Sequence, residues 1–329
     1  MEAFTYHGGA LDVARRLAPD APEPWIDLST GINPHPYPVP PLDPEAWSRL
    51  PASGELAGLE AVAAARYGAP APMVVAGPGS QALIQTLARI IPRGATGVLG
   101  STYSGFKAAF AAAGGRVVQE ARLEGMGNLD VAIVVNPNNP DGRITPRSDL
   151  LELHKRLALR GGLLIVDEAF ADFDAEGESL GPVMPARAVV LRSFGKSFGL
   201  AGLRLGFAIA SPDIVEPLRA ALGEWAVSCP AIAIGTKALA DRAWTDAMRD
   251  RLGREAARLD RLLERNGYRL VGGTRLFRLA AKADARAAFE RLLAAGVLAR
   301  PFADAKDRLR FGIPGDESAW RRLAGALAE

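Results

Sequence analysis

The chain has 329 residues, 49% apolar and 23% charged, and its 39 basic against 37 acidic side chains leave a net charge of +2. That is enough chain for a large core in two packed lobes, and the balanced charge, with no basic run or interleaved aromatics, argues against a nucleic-acid partner. One cysteine (Cys229) forms no internal disulfide, three scattered histidines (His7, His35, His154) make a metal site unexpected, and no signal-peptide pattern or bilayer-length apolar run occurs, so a cytoplasmic protein without membrane partner is expected.

Residues 1–45 read as a loop-rich segment packing across both lobes. It holds His7-Gly8-Gly9, then Asp27-Leu28-Ser29-Thr30-Gly31-Ile32-Asn33-Pro34, then prolines at 34, 36, 38, 40, 41 and 44 that exclude a helix there. Small polar side chains on such loops can touch a ligand, with a plain linker as the alternative. A helix is predicted over 55–67, stopped by Gly68. A strand over 73–76 runs through Gly77-Pro78-Gly79-Ser80-Gln81 into an apolar helix over 82–91. A strand, a glycine turn and a helix N-terminus make an anion site. The same residues match the G-x-G-x-x-A dinucleotide fingerprint, but the acidic residue expected about twenty positions on is missing, so a phosphate fits better than a dinucleotide.

Strands and helices then alternate. Strands are predicted over 97–100, 116–118, 130–135, 162–166 and 188–191, with helices over 104–113 and 147–160. This alternation predicts an α/β domain with a mostly parallel sheet covered by helices. Ligands gather beyond the C-terminal ends of the strands in such sheets, and Asn139, Asp167 and Lys196 all follow strand ends. Each has a dull alternative: Asn139-Pro140-Asp141-Gly142 can be a turn, and Asp167 a helix cap. Beyond Pro230 the pattern changes to helices over 231–241, 245–266, 283–295 and 317–327 among strands over 268–271, 276–279, 297–300 and 309–313. The expected organisation is therefore the segment 1–45, a large domain over 46–230 and a smaller α+β domain over 231–329. The arginine-rich stretch 249–265 reads as a solvated helix face.

The chain is organised around 191–206, L-R-S-F-G-K-S-F-G-L-A-G-L-R-L-G, centred on Lys196. A lysine between apolar strands is costly to bury, and one use for such an amine is a Schiff base with a carbonyl. Ser193, Ser197, the glycines and Arg204 suit a phosphate. A solvated loop lysine is the plain alternative. Ser193-x-x-Lys196 also matches the S-x-x-K of β-lactamases, but the S-D-N and K-T-G that accompany it are absent.

N-P-N-N-P, D-E-A-F, S-F-G-K and G-L-R-L-G occur here in the order found in the fold-type-I pyridoxal-phosphate (PLP) enzymes, which the chain resembles from His7 to Arg310. Within that group it is most like the histidinol-phosphate aminotransferases and the threonine-phosphate decarboxylases. Residues 27–34, 167–173 and 309–312 resemble the decarboxylase branch, which serves cobalamin biosynthesis. The resemblance implies that Lys196 holds PLP as a Schiff base, that Asp167 pairs with the ring nitrogen, that Asn139 bonds the ring hydroxyl and that Tyr103 stacks on the ring. It implies that Gly79, Ser80, Gln81, Ser193 and Arg204 meet the cofactor phosphate. Arg310 would bind the substrate α-carboxylate, with His7, Asn33 and Arg300 near the substrate. The implied activity is decarboxylation of L-threonine O-3-phosphate by a homodimer; the alternative is an aminotransferase acting on histidinol phosphate or a related phosphorylated amine. Two positions depart from the aminotransferase pattern. Phe170 replaces a tyrosine that touches the ring hydroxyl, and Leu50 replaces one that reaches the partner subunit's cofactor phosphate.

Overall fold

The computed structural model describes Phe4 and residues 7–92, 94–174 and 177–328. The chain forms two compact units, one of Met1–His35, Pro140–Arg143 and Asp246–Glu329, the other of Pro36–Asn139 and Ile144–Thr245. In chain order the helices are α1 (Leu11–Leu17), α2 (Ser53–Tyr67), α3 (Ser80–Ile90), α4 (Ser104–Ala112), α5 (Arg147–Ala158), α6 (Ala171–Asp174), α7 (Phe194–Ser197), α8 (Pro212–Leu222), α9 (Cys229–Ala240), α10 (Arg242–Arg265), α11 (Ala285–Ala294) and α12 (Glu317–Ala328). The strands are β1 (Ile26–Asp27), β2 (Val74–Gly77), β3 (Ala95–Leu99), β4 (Arg116–Glu120), β5 (Val131–Val135), β6 (Leu163–Asp167), β7 (Ala188–Ser193), β8 (Gly206–Ala210), β9 (Arg269–Thr274), β10 (Phe277–Ala281), β11 (Val297–Leu298), β12 (Arg300–Pro301) and β13 (Arg308–Gly312).

The larger unit is a seven-stranded sheet in the order β2-β8-β7-β6-β5-β3-β4. The pairs from β7 to β4 are parallel, and β8 runs against both of its neighbours. Helices bury both faces, which is why the central strands β5, β6 and β8 are fully buried and carry near-continuous apolar runs rather than an alternating pattern. Ile133, Ile165 and Val189 pack with Leu83, Leu87 and Phe110 of α3 and α4 on one face. Val134, Val166 and Val190, one residue on, pack with Leu59, Leu153 and Leu157 of α2 and α5 on the other.

The smaller unit holds a four-stranded antiparallel sheet, β12-β13-β10-β9, and the parallel pair β1–β11. The mostly parallel, helix-covered sheet matches the sequence expectation; the division of the chain differs from it. Ala231, Ile232 and Leu239 of α9 belong to the same core cluster as Leu59 and Ala63 of α2, and their unit runs on to Thr245 rather than ending at 230. The N-terminal segment parts at His35, not after residue 45. Four helices lie where none is predicted, two of them the single turns α6 and α7. α1 interrupts the expected loop. α8 carries Pro212 at its first turn and Pro217 inside, which read locally as breakers, yet Val215 and Leu218 are buried in the core.

Candidate active site

Five adjacent strands of the larger unit bring their site-bearing ends to one edge. Val135 is opposite Asp167, Asp167 opposite Leu191, Ser193 opposite Gly206, and Gly206 opposite Gly77. Because β8 is antiparallel, its first residues lie at this edge. Arg204, just before β8, is thereby brought to the turn that follows β2.

Lys196 sits in the single turn α7, just past β7. Phe194 and Phe198, two residues to either side, are buried and stack with ring centroids 4.3 Å apart. They hold the turn down while leaving the lysine partly exposed. Its Nζ is 5.9 Å from the Phe170 ring centroid. Asp167, at the end of β6, is only 4% exposed. Its Oδ1 accepts from the Ala169 amide at 3.1 Å. Burial pushes the carboxyl up from 3.8 to about 7; the Ala169 bond opposes this, Glu168 adds to it, and Lys196 pulls the other way.

Behind this acid lies a buried ion cluster. Arg192 donates to Glu168 Oε2 and to Asp172 Oδ1, both at 2.6 Å, and its guanidinium lies 4.3 Å from the Tyr67 ring centroid. Glu168 also accepts from the Ser179 hydroxyl at 2.6 Å and the Leu180 amide at 2.9 Å. Burial lowers the Arg192 pKa, but Asp172 and Glu168 outweigh it and the net shift is upward.

The glycine turn forms a cradle at the N-terminus of α3. Gly79 adopts φ +91°, and a Cβ there would lie 2.6 Å from Arg204 Nη2. Only glycine lets the guanidinium lie against this turn. Arg204 itself has φ +54° and donates to the Ala201 carbonyl at 3.0 Å. The amides of Ser80 and Gln81 open the eleven-residue helix α3, and the Gln81 side chain accepts from the Tyr103 hydroxyl at 2.7 Å. In the N-P-N-N-P segment, Asn136 exchanges two hydrogen bonds with the Thr145 backbone, at 2.8 and 3.0 Å, and Asn138 donates to the Ser101 carbonyl at 3.1 Å. Asn139 is buried beside them.

The remaining predicted residues fall in the smaller unit. Arg300 and Arg310 are directly opposite across the antiparallel pair β12–β13 and are 8% and 2% exposed. Arg310 donates to the Ser29 carbonyl at 2.6 Å and lies 5.0 Å from the Phe277 ring centroid. Burial first, and Arg300 second, pull its pKa down to about 9, while Asp27 acts in the other direction. Asp27 Oδ1 accepts from the Ser29 amide and hydroxyl at 2.8 and 2.6 Å, and Ser29 Oγ accepts from the Gly9 amide at 2.7 Å. His7, two residues before Gly9, has its imidazole exposed. Asn33 is buried, and its Oδ1 accepts from the His35 amide at 2.9 Å.

Sequence reasoning assigned no role to Arg192, Glu168, Asp172, Ser29 or Asp27. One signal was available. D-E-A-F-A-D places three carboxylates within six residues between apolar segments, and such burial requires a counter-cation. Among the described residues, no helix is long and apolar enough to cross a membrane, and no three His, Cys, Asp or Glu side chains cluster to hold a metal ion.

Residues 42–327 match the family model for class I and II aminotransferases. The chain is 42% identical to a threonine-phosphate decarboxylase of Pseudomonas aeruginosa, over 98% of this chain and 96% of that protein. It is 39% identical to a threonine-phosphate decarboxylase of a Sinorhizobium species, over 100% and 99%. Among solved structures it is similar to histidinol-phosphate aminotransferase from Sinorhizobium meliloti in complex with pyridoxal-5'-phosphate, with a TM-score of 0.83, 22% identity, and coverage of 96% of this chain and 93% of that one. The chain belongs to the class I and II aminotransferase family.

Proposed function

We propose that this chain is a PLP-dependent lyase that decarboxylates L-threonine O-3-phosphate to aminopropanol phosphate in cobalamin biosynthesis. The carrying observation is the full-length identity, 42% and 39%, to two proteins that bear the name threonine-phosphate decarboxylase. Phe170 favours the same branch, since its ring offers no hydroxyl where aminotransferase relatives carry a tyrosine. Proposed with it are a cytoplasmic location and a homodimer, in which Leu50 makes no hydrogen bond to a partner's cofactor.

The residues fit PLP. The Gly79 cradle, floored by Arg204 and opened by the α3 amides, suits the phosphate. Ser193 stands opposite Gly206 at the same edge. Asp167 offers a buried carboxyl to the ring nitrogen, Asn139 a hydrogen bond to the ring hydroxyl, Tyr103 a stacking face, and Lys196 its amine to the aldehyde. When bound, PLP supplies an electron sink for the pair left as the bond from the α-carbon to the carboxylate breaks. Asp167 holds the proton of the ring nitrogen, because a buried cation next to a carboxylate is stabilised where water is excluded. Lys196 Nζ carries a proton to the substrate α-carbon. Arg310 binds the substrate carboxylate through its planar fork, and Arg300, opposite it, suits a second anionic group such as the phosphate; His7 and Asn33 stand among the proposed substrate contacts. Two arginines side by side in a buried sheet repel one another, which favours a ligand carrying more than one negative charge.

The test is incubation of PLP-loaded protein with L-threonine O-3-phosphate, following CO₂ and aminopropanol phosphate together, with Lys196→Ala alongside. Both products should form with the wild type and fall by about a thousandfold or more in the variant, as for loss of a covalent catalyst. Amino transfer to 2-oxoglutarate without CO₂ would instead select the aminotransferase alternative. A protein that takes up no PLP would overturn the reading.

A further inference from the structure

The Gln81 side chain points to a role other than direct contact with a phosphate. Its Oε1 accepts the Tyr103 hydroxyl at 2.7 Å. Gln81 belongs to the first turn of α3 and Tyr103 immediately precedes α4, and these two helices pack against each other. The bond therefore ties two helix starts together. Gly105 completes the arrangement. A Cβ there would lie 2.6 Å from Tyr103 Cζ and 2.9 Å from Gln81 Oε1, so the ring and the amide both occupy space that any other residue would fill. Phe106 meets the Tyr103 ring edge-on, with centroids 6.4 Å apart and planes at 86°. The ring is held by the amide at its hydroxyl, by the Gly105 notch and by Phe106.

We propose that Gln81 is a positioning residue that acts through Tyr103: it fixes the plane of the ring that stacks on the cofactor, while only its backbone amide serves the phosphate. This rests on the PLP reading above. An aromatic ring stacks well only over a narrow range of tilt and offset, and a tyrosine on a loop rotates freely about its Cα–Cβ bond unless something holds it. Fixing the ring before the cofactor arrives removes an ordering cost from binding.

The test is a double-mutant cycle on Gln81→Leu and Tyr103→Phe, read by PLP affinity and by the visible circular dichroism of the bound cofactor. Phe retains the ring and loses only the hydroxyl. Each single variant should weaken PLP binding by about three- to tenfold, the value of one neutral hydrogen bond, and the double variant should be no weaker than either. All three should reduce the dichroism alike, with little change in the melting temperature of the ligand-free protein. Additive losses, or a Gln81→Leu effect well beyond that of Tyr103→Phe, would mean that the side chain meets the phosphate directly, and would overturn the proposal while leaving the PLP reading intact. Gly105→Ala gives an independent check: it should weaken PLP binding although both hydrogen-bonding groups remain, and normal affinity would overturn the notch. Wild-type protein that binds no PLP would overturn both readings together.

Discussion

Arg192 and Arg310 are both buried guanidiniums, 6% and 2% exposed, one in each unit of the chain. Arg192 sits between two carboxylates at 2.6 Å, and the cation is stabilised there. Arg310 bonds a carbonyl, faces an aromatic ring and stands opposite a second arginine, and the cation is destabilised. The same side chain is thus built into the core in one unit and held poised in the other. A buried cation beside a like charge lowers folding stability and raises affinity for an oppositely charged ligand. Such a destabilised cation marks a candidate binding group.

The sharpest way to break this contrast is to remove each cation and compare stabilities. Arg192→Met leaves Glu168 and Asp172 uncompensated and should cost about 3–5 kcal/mol in urea unfolding. Adding Glu168→Gln should recover part of that loss. Arg310→Met should leave the ligand-free protein as stable as the wild type, or more so. A loss there of more than about 2 kcal/mol would make Arg310 a structural arginine like Arg192.

Next in size is the catalytic counterpart. Arg310→Met should lower kcat/KM for L-threonine O-3-phosphate by about a hundred- to a thousandfold, within the range for removing one partner of a buried charge pair. Arg310→Lys should restore little of it, because an ammonium cannot make the bidentate contact. Arg192→Met protein that remains folded should lose far less kcat/KM; an equal loss would erase the distinction.

A third effect concerns Asp167, the acid beside the Arg192 cluster that the guanidinium does not bind. Its pKa is about 7 folded against 3.8 unfolded, so the folded chain holds the extra proton between those values. Ligand-free stability from this group is therefore full below pH 3.8 and is lost as pH rises through 7. Denaturation midpoints across that window should fall with rising pH in the wild type and fall less steeply in Asp167→Asn. Equal slopes would mean that the carboxyl is not held protonated by burial.

Much of the larger unit was legible in the amino-acid order. The runs 131–135 and 163–166 are apolar at every position because helices bury both faces, and that continuity is a local signal. The strand-end positions of Asn139, Asp167 and Lys196 were equally readable, because a parallel sheet gathers those ends at one edge. α8 escaped because its two prolines satisfy the local rule for a breaker while Val215 and Leu218 are buried by distant partners.

Composition, alternation and motif order by themselves determined the α/β architecture, the reactive lysine candidate and the family. Only the tertiary structure decided that β8 runs antiparallel and brings Arg204 to the Gly79 turn, that Arg192 engages Glu168 and Asp172, that Gln81 bonds Tyr103, and that Arg300 stands opposite Arg310. The physical reason is common to all four. Burial periodicity is written along the chain at every second or fourth residue, whereas strand direction, register and side-chain pairing join residues far apart in sequence and leave no mark on local spacing.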